Sequence, residues 1–186
     1  MATVSPTEVL CTEHRAILRM LDVTSELAHL LEVGVDVPPD MLDAVAEFMR
    51  VFGDEHLKKE EEFLFPALGK RGVALDGVAV DTLQRDHDQA RTLLGKMSDA
   101  AVAYRAHRPK ADRKWGRVAT EYAMVMRRHI DKEQQIFYPA AEQILSADEQ
   151  RNLGETLRRG SEDSGTLERH RHFSQMADSL AAELLA

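Results

Sequence analysis

The chain has 186 residues, of which 44% are hydrophobic and 30% are charged, and its formal net charge is −8. This length and hydrophobic content favour one folded domain over a disordered chain. The acidic balance argues against nucleic acid or an anionic membrane as the main partner, and no apolar run approaches the roughly 18 residues that a membrane helix needs.

Apolar residues recur at spacings of three and four along most of the chain while strand patterns are weak, which predicts an all-α protein. The first helix is expected over about residues 6–33, with Ser5 as its cap and Pro6 in its first turn. The GVDVPPD segment at 34–40 breaks this helix. Further helices are predicted over about residues 40–69, 78–107 and 110–139, the last kinking or ending at Pro139.

The C-terminal part is also predicted to be helical. Ser146-Ala-Asp-Glu149 matches a capping box that opens a short helix. The GSEDSG segment at 160–165 is expected to form a loop, and a last helix to begin at about Leu167. Another loop, with three glycines, is expected at 69–77.

A repeated phrase is the strongest sign of organisation in this chain. HLKKEEEFLFP begins at His56, and HIDKEQQIFYP begins 73 residues later at His129. The same offset separates His14 from His87. Each copy therefore predicts one helical hairpin, and two hairpins predict an up-down four-helix bundle. The predicted boundaries are 1–186 for a single domain, about 6–145 for the bundle and about 146–186 for an extension of additional C-terminal helices.

Six side chains that bind metals well occupy positions where the helices should face the core. On the first helix, His14 shares a stripe with Leu10 and Ile17 by three-four spacing. The corresponding stripes of the second and fourth helices place Phe63 and Ile136 in the core as well. The six residues are His14, His56, Glu60, His87, His129 and Glu133.

Burial of Glu60 and Glu133 would be costly without compensation, because an ionised carboxylate in an apolar interior must be paired, protonated or bound to a metal. No lysine or arginine lies in these stripes, and two nearby carboxylates repel each other. A pair of divalent cations removes both problems, because His and Glu four residues apart can reach one centre. The sequence thus predicts a two-metal site with two histidines from each half and two bridging glutamates.

The ligand types narrow the choice of metal. Imidazole and carboxylate suit iron, manganese or zinc and disfavour copper(I). Four protein ligands for each metal leave positions open for O₂, peroxide or NO, and we expect two iron ions, with manganese and zinc as alternatives. A metal-free interaction bundle is the competing interpretation, but it does not explain the paired carboxylates inside.

The ordered set His14, His56-Leu-Lys-Lys-Glu60, His87 and His129-Ile-Asp-Lys-Glu133 resembles the hemerythrin-like family, also called HHE cation-binding domains. The phrases EEFLFP and EQQIFYP after the glutamates resemble that family too, and the resemblance covers most of the chain. It implies a four-helix bundle around a non-heme diiron centre that binds O₂ or reacts with small oxidants, with an oxo or hydroxo bridge between the irons.

Some features differ from the family pattern. Oxygen-carrying hemerythrins use a longer histidine set, whereas here His129 is followed by Glu133, which argues against a respiratory carrier. Some relatives have a carboxylate after the histidine of the second helix, where this chain has Leu57. The segment LERHRHF at 167–173 resembles a C-terminal segment of bacterial relatives, which makes His170 a seventh candidate ligand. A fifth imidazole would make the two metals unequal.

Several other residues are expected near the site. Tyr122 lies two turns before His129 on the same face and could hydrogen-bond a bound ligand, and a core aromatic is the alternative role. Phe65 and Tyr138 are expected to pack and exclude water. Glu61 is expected to face solvent, although a rotated helix would bring it to a metal.

The predicted site supports more than one function. The first hypothesis is binding of O₂, NO or peroxide for sensing, storage or delivery, with a signal passing to an unknown protein partner. A peroxide-consuming, catalase-like diiron enzyme is the alternative, and an iron- or metal-handling protein is a third possibility. MATVSPTEV lacks a signal-peptide pattern and the single Cys11 suits a reducing compartment, so a cytoplasmic location is expected.

Overall fold

The computed structural model describes residues 5–69, 80–162 and 164–185. In these ranges every regular element is helical, which confirms the predicted all-α class. The α-helical segments are α1 (Pro6–Glu32), α2 (Pro39–Phe48), α3 (Asp54–Lys59), α4 (Phe65–Gly69), α5 (Val80–Arg105), α6 (Ala111–Lys132), α7 (Tyr138–Ile144), α8 (Ala147–Glu162) and α9 (Ser164–Leu184). The loop expected at 69–77 lies outside the described residues, apart from the last residue of α4.

Within the described part, three π-helical turns join the shorter segments into continuous helices. Met49–Gly53 and Glu60–Leu64 connect α2, α3 and α4, and Glu133–Phe137 connects α6 to α7. The second bundle helix therefore spans residues 39–69 and the fourth spans 111–144. Single π-helical turns inside α-helices are frequent at functional sites, and two of these turns begin at the glutamates of the repeated phrase.

The fourth helix continues to Ile144 and does not end at Pro139. Pro139 is the second residue of α7, and Pro66 is the second residue of α4, in both cases directly after a π-helical turn. Proline is tolerated in the first turn of a helical segment because its missing N–H group has little or no intrahelical bond to make there. The repeated proline therefore follows the π turn without breaking the helix.

The π turns also change which side chains face the core. Phe63 and Ile136, which α-helical spacing places inside, are 37% and 40% exposed. Leu64 and Phe137, one residue later in each copy, are fully buried. The extra residue in each π turn advances the buried face by one position, so this part of the sequence-based prediction was wrong.

The four bundle helices form a closed ring in which α1 and α5 each contact both α2 and α6. Short connections at 33–38 and 106–110 make consecutive helices antiparallel, which is the up-down arrangement. The first and fourth helices approach closely at Gly116, where an added Cβ would lie 3.3 Å from the carbonyl oxygen of Ala28.

The two C-terminal helices pack on the bundle through α1. From α9, Phe173, Ala177 and Ala181 join the main apolar cluster between the bundle helices. From α8, Leu157 joins a second, smaller apolar cluster towards one end. Within the described ranges we find no helix with the length and hydropathy of a membrane span.

The start of α8 confirms the predicted capping box, because the Ser146 backbone N–H donates to Glu149 Oε2 at 2.9 Å. The prediction of a loop at 160–165 was wrong. The α8 helix extends to Glu162 and α9 begins at Ser164. Glycine and serine lower helix propensity by no more than about 1 kcal/mol per residue, which the packing of a long helix can outweigh.

Candidate metal centre

A layer of polar side chains crosses the bundle between the two apolar clusters. On α1, Leu10 belongs to the smaller cluster and Ile17 to the main one, with a histidine between them. The same order occurs on α5, where Leu83 and Ala90 lie on either side of a histidine. Six residues of this layer are at most 1% exposed: His14, His56, Glu60, His87, His129 and Glu133.

The six side chains form two groups in which the potential ligand atoms all lie within 4.8 Å of one another. Site 1 contains His14 and His56, and site 2 contains His87 and His129. Both glutamates belong to both groups, so they are placed to bridge two ions. The structure therefore brings together the six side chains singled out from the sequence, with two histidines from each hairpin.

The glutamates lie between the histidines of the two sites. Glu133 Oε2 is 3.2 Å from His14 Nε2, and Glu133 Oε1 is 3.0 Å from His129 Nε2. Glu60 Oε2 is 3.4 Å from His87 Nε2 and 3.9 Å from the Nε2 atoms of both His56 and His129. Each carboxylate thus faces imidazoles of both sites, and all four Nε2 atoms converge on the carboxylates.

Several buried polar atoms among the described residues of this layer have no hydrogen-bond partner. They are His56 Nε2, His129 Nδ1, Glu60 Oε2 and both carboxylate oxygens of Glu133. Buried polar atoms without a partner are rare in folded proteins. Imidazole nitrogens and carboxylate oxygens suit divalent iron, manganese or zinc, so the residues present fit metal ions.

The pKa shifts of the two glutamates also favour bound cations at this position. Burial and the charge of Glu60 raise the pKa of Glu133 well above its ordinary value. Burial also acts to raise the pKa of Glu60, but the neighbouring histidines outweigh it and hold that pKa well below its ordinary value. Without cations the buried pair therefore favours a single negative charge, whereas two dications would favour ionisation of both carboxylates.

Carboxylates that are not candidate ligands, called outer carboxylates below, contact two of the histidines at the Nδ1 atoms of the rings. His56 Nδ1 donates to Glu13 Oε2 at 3.0 Å, and His87 Nδ1 donates to Glu61 Oε1 at 2.7 Å. Such contacts fix the orientation and tautomer of a histidine and leave Nε2 free for a metal. Glu61 therefore contacts a candidate ligand rather than facing only solvent.

Two lysines neutralise the outer carboxylates at matching positions. Lys59 contacts Glu13, and Lys132 Nζ donates to Asp86 Oδ2 at 2.6 Å. Burial acts to raise the pKa of both carboxyls, but the adjacent histidine and lysine lower it to about 2 in each case. His129 Nδ1 lies 3.6 Å from Asp86 Oδ2, longer than a hydrogen bond, and aspartate is one methylene shorter than glutamate.

The residues that surround the candidate ligands follow the same 73-residue repeat as the ligands themselves. The sequence analysis considered only Glu61 among these residues and assigned none of them a role in holding a histidine. Applying the offset to every polar residue near a ligand would have found them. The matched outer pairs are Glu13 and Asp86, Lys59 and Lys132, and Glu61 and Gln134.

One tyrosine hydroxyl reaches the layer. Tyr138 Oη donates to Glu60 Oε1 at 2.5 Å, and its ring stacks on His14 with centroids 5.6 Å apart. Its repeat partner Phe65 stacks against His87 at 5.5 Å but offers no hydroxyl. The prediction that both rings only pack and exclude water was therefore incomplete for Tyr138.

Two residues predicted from the sequence lie outside the groups of candidate ligands. His170 Nε2 is 3.4 Å from Glu55 Oε2, and its Nδ1 is 3.9 Å from Glu13 Oε1, so the ring reaches outer carboxylates. Its helix, α9, packs outside the ring of four bundle helices. Tyr122 is buried in the main cluster, where burial and the charge of Asp54 raise its pKa.

A helical bundle with a buried layer of histidines and shared carboxylates defines a metal-binding bundle protein. The chain belongs to the hemerythrin HHE cation-binding domain family, whose family model matches residues 5–141. This range contains all six residues of the layer, and it confirms the family resemblance of the sequence.

The chain is also similar to uncharacterized proteins of Mycobacterium tuberculosis and Mycobacterium bovis. Each is 28% identical to it over 173 residues, which cover 92% of this chain. The chain spans 64% of the length of these curated relatives.

Proposed function

We propose that the protein holds two iron ions in the polar layer and there binds or reacts with O₂, NO or peroxide, for sensing, storage or delivery of the small ligand. One observation carries the proposal: six buried ligand side chains form two groups that share Glu60 and Glu133. The carboxylate oxygens between the groups that accept no hydrogen bond support it, because two bound cations would satisfy them.

The side chains in and around the layer have different roles. Each site supplies two imidazoles and two shared carboxylates, which leaves coordination positions open for a small ligand. Bound iron would supply the Lewis acidity and the electrons that such ligands require. The residues of the two apolar clusters exclude water from the layer, and Glu13 and Glu61 hold their histidine rings in position.

Metal analysis combined with optical spectroscopy tests this proposal. The iron-loaded protein should contain two ions per chain, and its absorption spectrum, recorded without oxygen, should change when O₂, NO or hydrogen peroxide is added. The double variant Glu60→Ala, Glu133→Ala should lose both properties. A chain that holds two irons but whose spectrum responds to none of the three ligands would refute the proposal.

A peroxide-consuming enzyme is the second candidate, and the position of Tyr138 favours it. Its hydroxyl lies 2.5 Å from Glu60 Oε1 and 3.5 Å from His14 Nε2, where it can donate a proton beside site 1. Sustained conversion of hydrogen peroxide to water and O₂, slowed in Tyr138→Phe, would support this activity. Bleaching that stops after one equivalent of peroxide would count against it.

We also propose a cytoplasmic location, supported by the single cysteine of the chain. For a sensing role, we propose that a protein partner receives the signal. Fractionation of cells that express the tagged protein would test the location directly.

A further inference from the structure

The two sites differ in charge at one pair of matched outer positions. We propose that site 2 binds its cation more tightly than site 1, because Glu61 supports a histidine of site 2 while neutral Gln134 occupies the matching position beside site 1. This inference rests on the proposed two-metal function. It makes Glu61 and Gln134 positioning residues that set the order in which the sites fill.

Glu61 is held firmly as an acceptor for site 2. Arg91 Nη1 and Nη2 donate to its two carboxylate oxygens at 2.8 and 3.1 Å, and Gln84 Nε2 donates to Oε1 at 3.0 Å. His87 Nδ1 donates to the same Oε1 at 2.7 Å. A carboxylate at this position both orients the imidazole and makes its Nε2 a better metal ligand. Arg91 reduces the negative charge of Glu61 but also removes its freedom to turn away.

Gln134 provides a weaker contact for site 1. Its Nε2 atom lies 3.1 Å from His14 Nδ1. When Nε2 of that histidine binds a metal, Nδ1 carries the proton, so the glutamine must present its amide oxygen instead of its nitrogen. The amide therefore has to rotate, and a neutral amide oxygen is a weaker acceptor than a carboxylate.

The other outer pair does not produce the same contrast. Glu13 beside His56 and Asp86 beside His129 are both carboxylates, and each is neutralised by a lysine. His56 Nδ1 is hydrogen-bonded to Glu13 at 3.0 Å, whereas His129 Nδ1 lies 3.6 Å from Asp86 and has no hydrogen-bond partner among the described residues, so this pair alone would favour site 1. A small shift would bring the Asp86 carboxylate within hydrogen-bond distance of His129, whereas no movement gives Gln134 a charge. The proposed order therefore follows the pair of Glu61 and Gln134.

The magnitude follows from what such contacts contribute elsewhere. Loss of a partner that orients a metal-bound histidine typically weakens metal binding by about 10–100-fold. We therefore expect site 2 to bind about 10–100-fold more tightly than site 1. The more exchangeable cation would then lie beside the hydroxyl of Tyr138.

Single-site variants allow each affinity to be measured without interference from the other ion. His14→Ala removes a ligand of site 1 and leaves site 2 complete, and His87→Ala does the reverse. Each metal-free variant is titrated with Co²⁺, followed by calorimetry and by the visible absorption of bound Co²⁺, after circular dichroism has shown that it is folded. His14→Ala should bind Co²⁺ about 10–100-fold more tightly than His87→Ala.

Exchanging the two outer residues provides the matched test. Gln134→Glu, added to His87→Ala, should tighten the remaining site, and Glu61→Gln, added to His14→Ala, should weaken the remaining site by a similar factor. Equal affinities in the two single-site variants, or no response to the exchange, would overturn the inference.

The wild-type chain gives a second measurement that does not depend on the folding of the alanine variants. Its Co²⁺ isotherm should show two unequal steps, which Glu61→Gln brings closer together. Two ions bound with equal affinity would refute this inference and leave the proposed function intact. A wild-type chain that binds no Co²⁺ would contradict both.

Discussion

Glu13 should link the stability of the protein to pH, because its carboxylate is buried against a histidine and a lysine. It accepts a hydrogen bond from His56 Nδ1 at 3.0 Å and contacts Lys59. Burial acts to raise its pKa, but these partners lower it from the ordinary value of 4.5 to about 2. A carboxyl with a lowered pKa stabilises the folded state above pH 4.5, and this contribution disappears as the pH falls towards 2.

The size of the effect follows from the shift in the pKa of Glu13. A shift of about 2.5 units corresponds to about 3 kcal/mol at 1.36 kcal/mol per unit. In a protein of this length, 1 kcal/mol changes the melting temperature by about 2–4 °C. The substitution Glu13→Gln should therefore lower the melting temperature of the metal-free protein at pH 7 by about 6–12 °C.

Urea unfolding of the metal-free protein between pH 7 and pH 2.5 measures this contribution. The free energy of unfolding of the wild type should fall more steeply with acidity than that of Glu13→Gln, so that the two curves converge at low pH. Glu121→Gln, which alters an exposed glutamate on α6, is the matched control and should follow the wild type. Curves for wild type and Glu13→Gln that stay parallel over the whole range would refute the reasoning.

Three further predictions concern the ions and the buried acids. Chelation should lower the melting temperature, because two bound ions at 100 times their Kd together stabilise the fold by about 5 kcal/mol, and an unchanged melting curve would contradict the site. In the metal-free protein the raised pKa keeps Glu133 protonated in the folded state at pH values where it is already ionised in the unfolded chain. The free energy of unfolding measured with urea should therefore fall as the pH rises above 4.5, and it should fall less in Glu133→Gln. Tyr138→Phe should lower the free energy of unfolding of the metal-free protein by about 1.5–3 kcal/mol and that of the metal-bound protein by less. The effect of Tyr122→Phe on the free energy of unfolding should be the same with and without metal.

The candidate ligands could be predicted because their signal is local and repeated. His56 and Glu60 lie one helical turn apart, and their copies His129 and Glu133 repeat the spacing on a helix with the same apolar stripe. Helical periodicity determines which side chains share a face, and buried carboxylates require compensation wherever they occur. These two constraints were sufficient to predict two sites with shared glutamates.

The π-helical turns could not be predicted from this periodicity. An α-helical pattern correctly placed Glu60 and Glu133 inside, but it failed one turn later, where Leu64 and Phe137 are buried. The extra residue in a π turn depends on how the helix packs between its neighbours, and no local propensity specifies it.

By itself, the sequence determined the helical class, the duplicated hairpin and the six side chains that face one another in its core. Only the tertiary structure decided which residues hold those side chains in place, because the contacts of His56 with Glu13, of His87 with Glu61 and of His14 with Gln134 join different helices. Such contacts depend on the rotation and separation of packed helices. Spacing along one helix determines neither, and this is why His170 and Tyr122 lie apart from the groups while Tyr138 reaches Glu60.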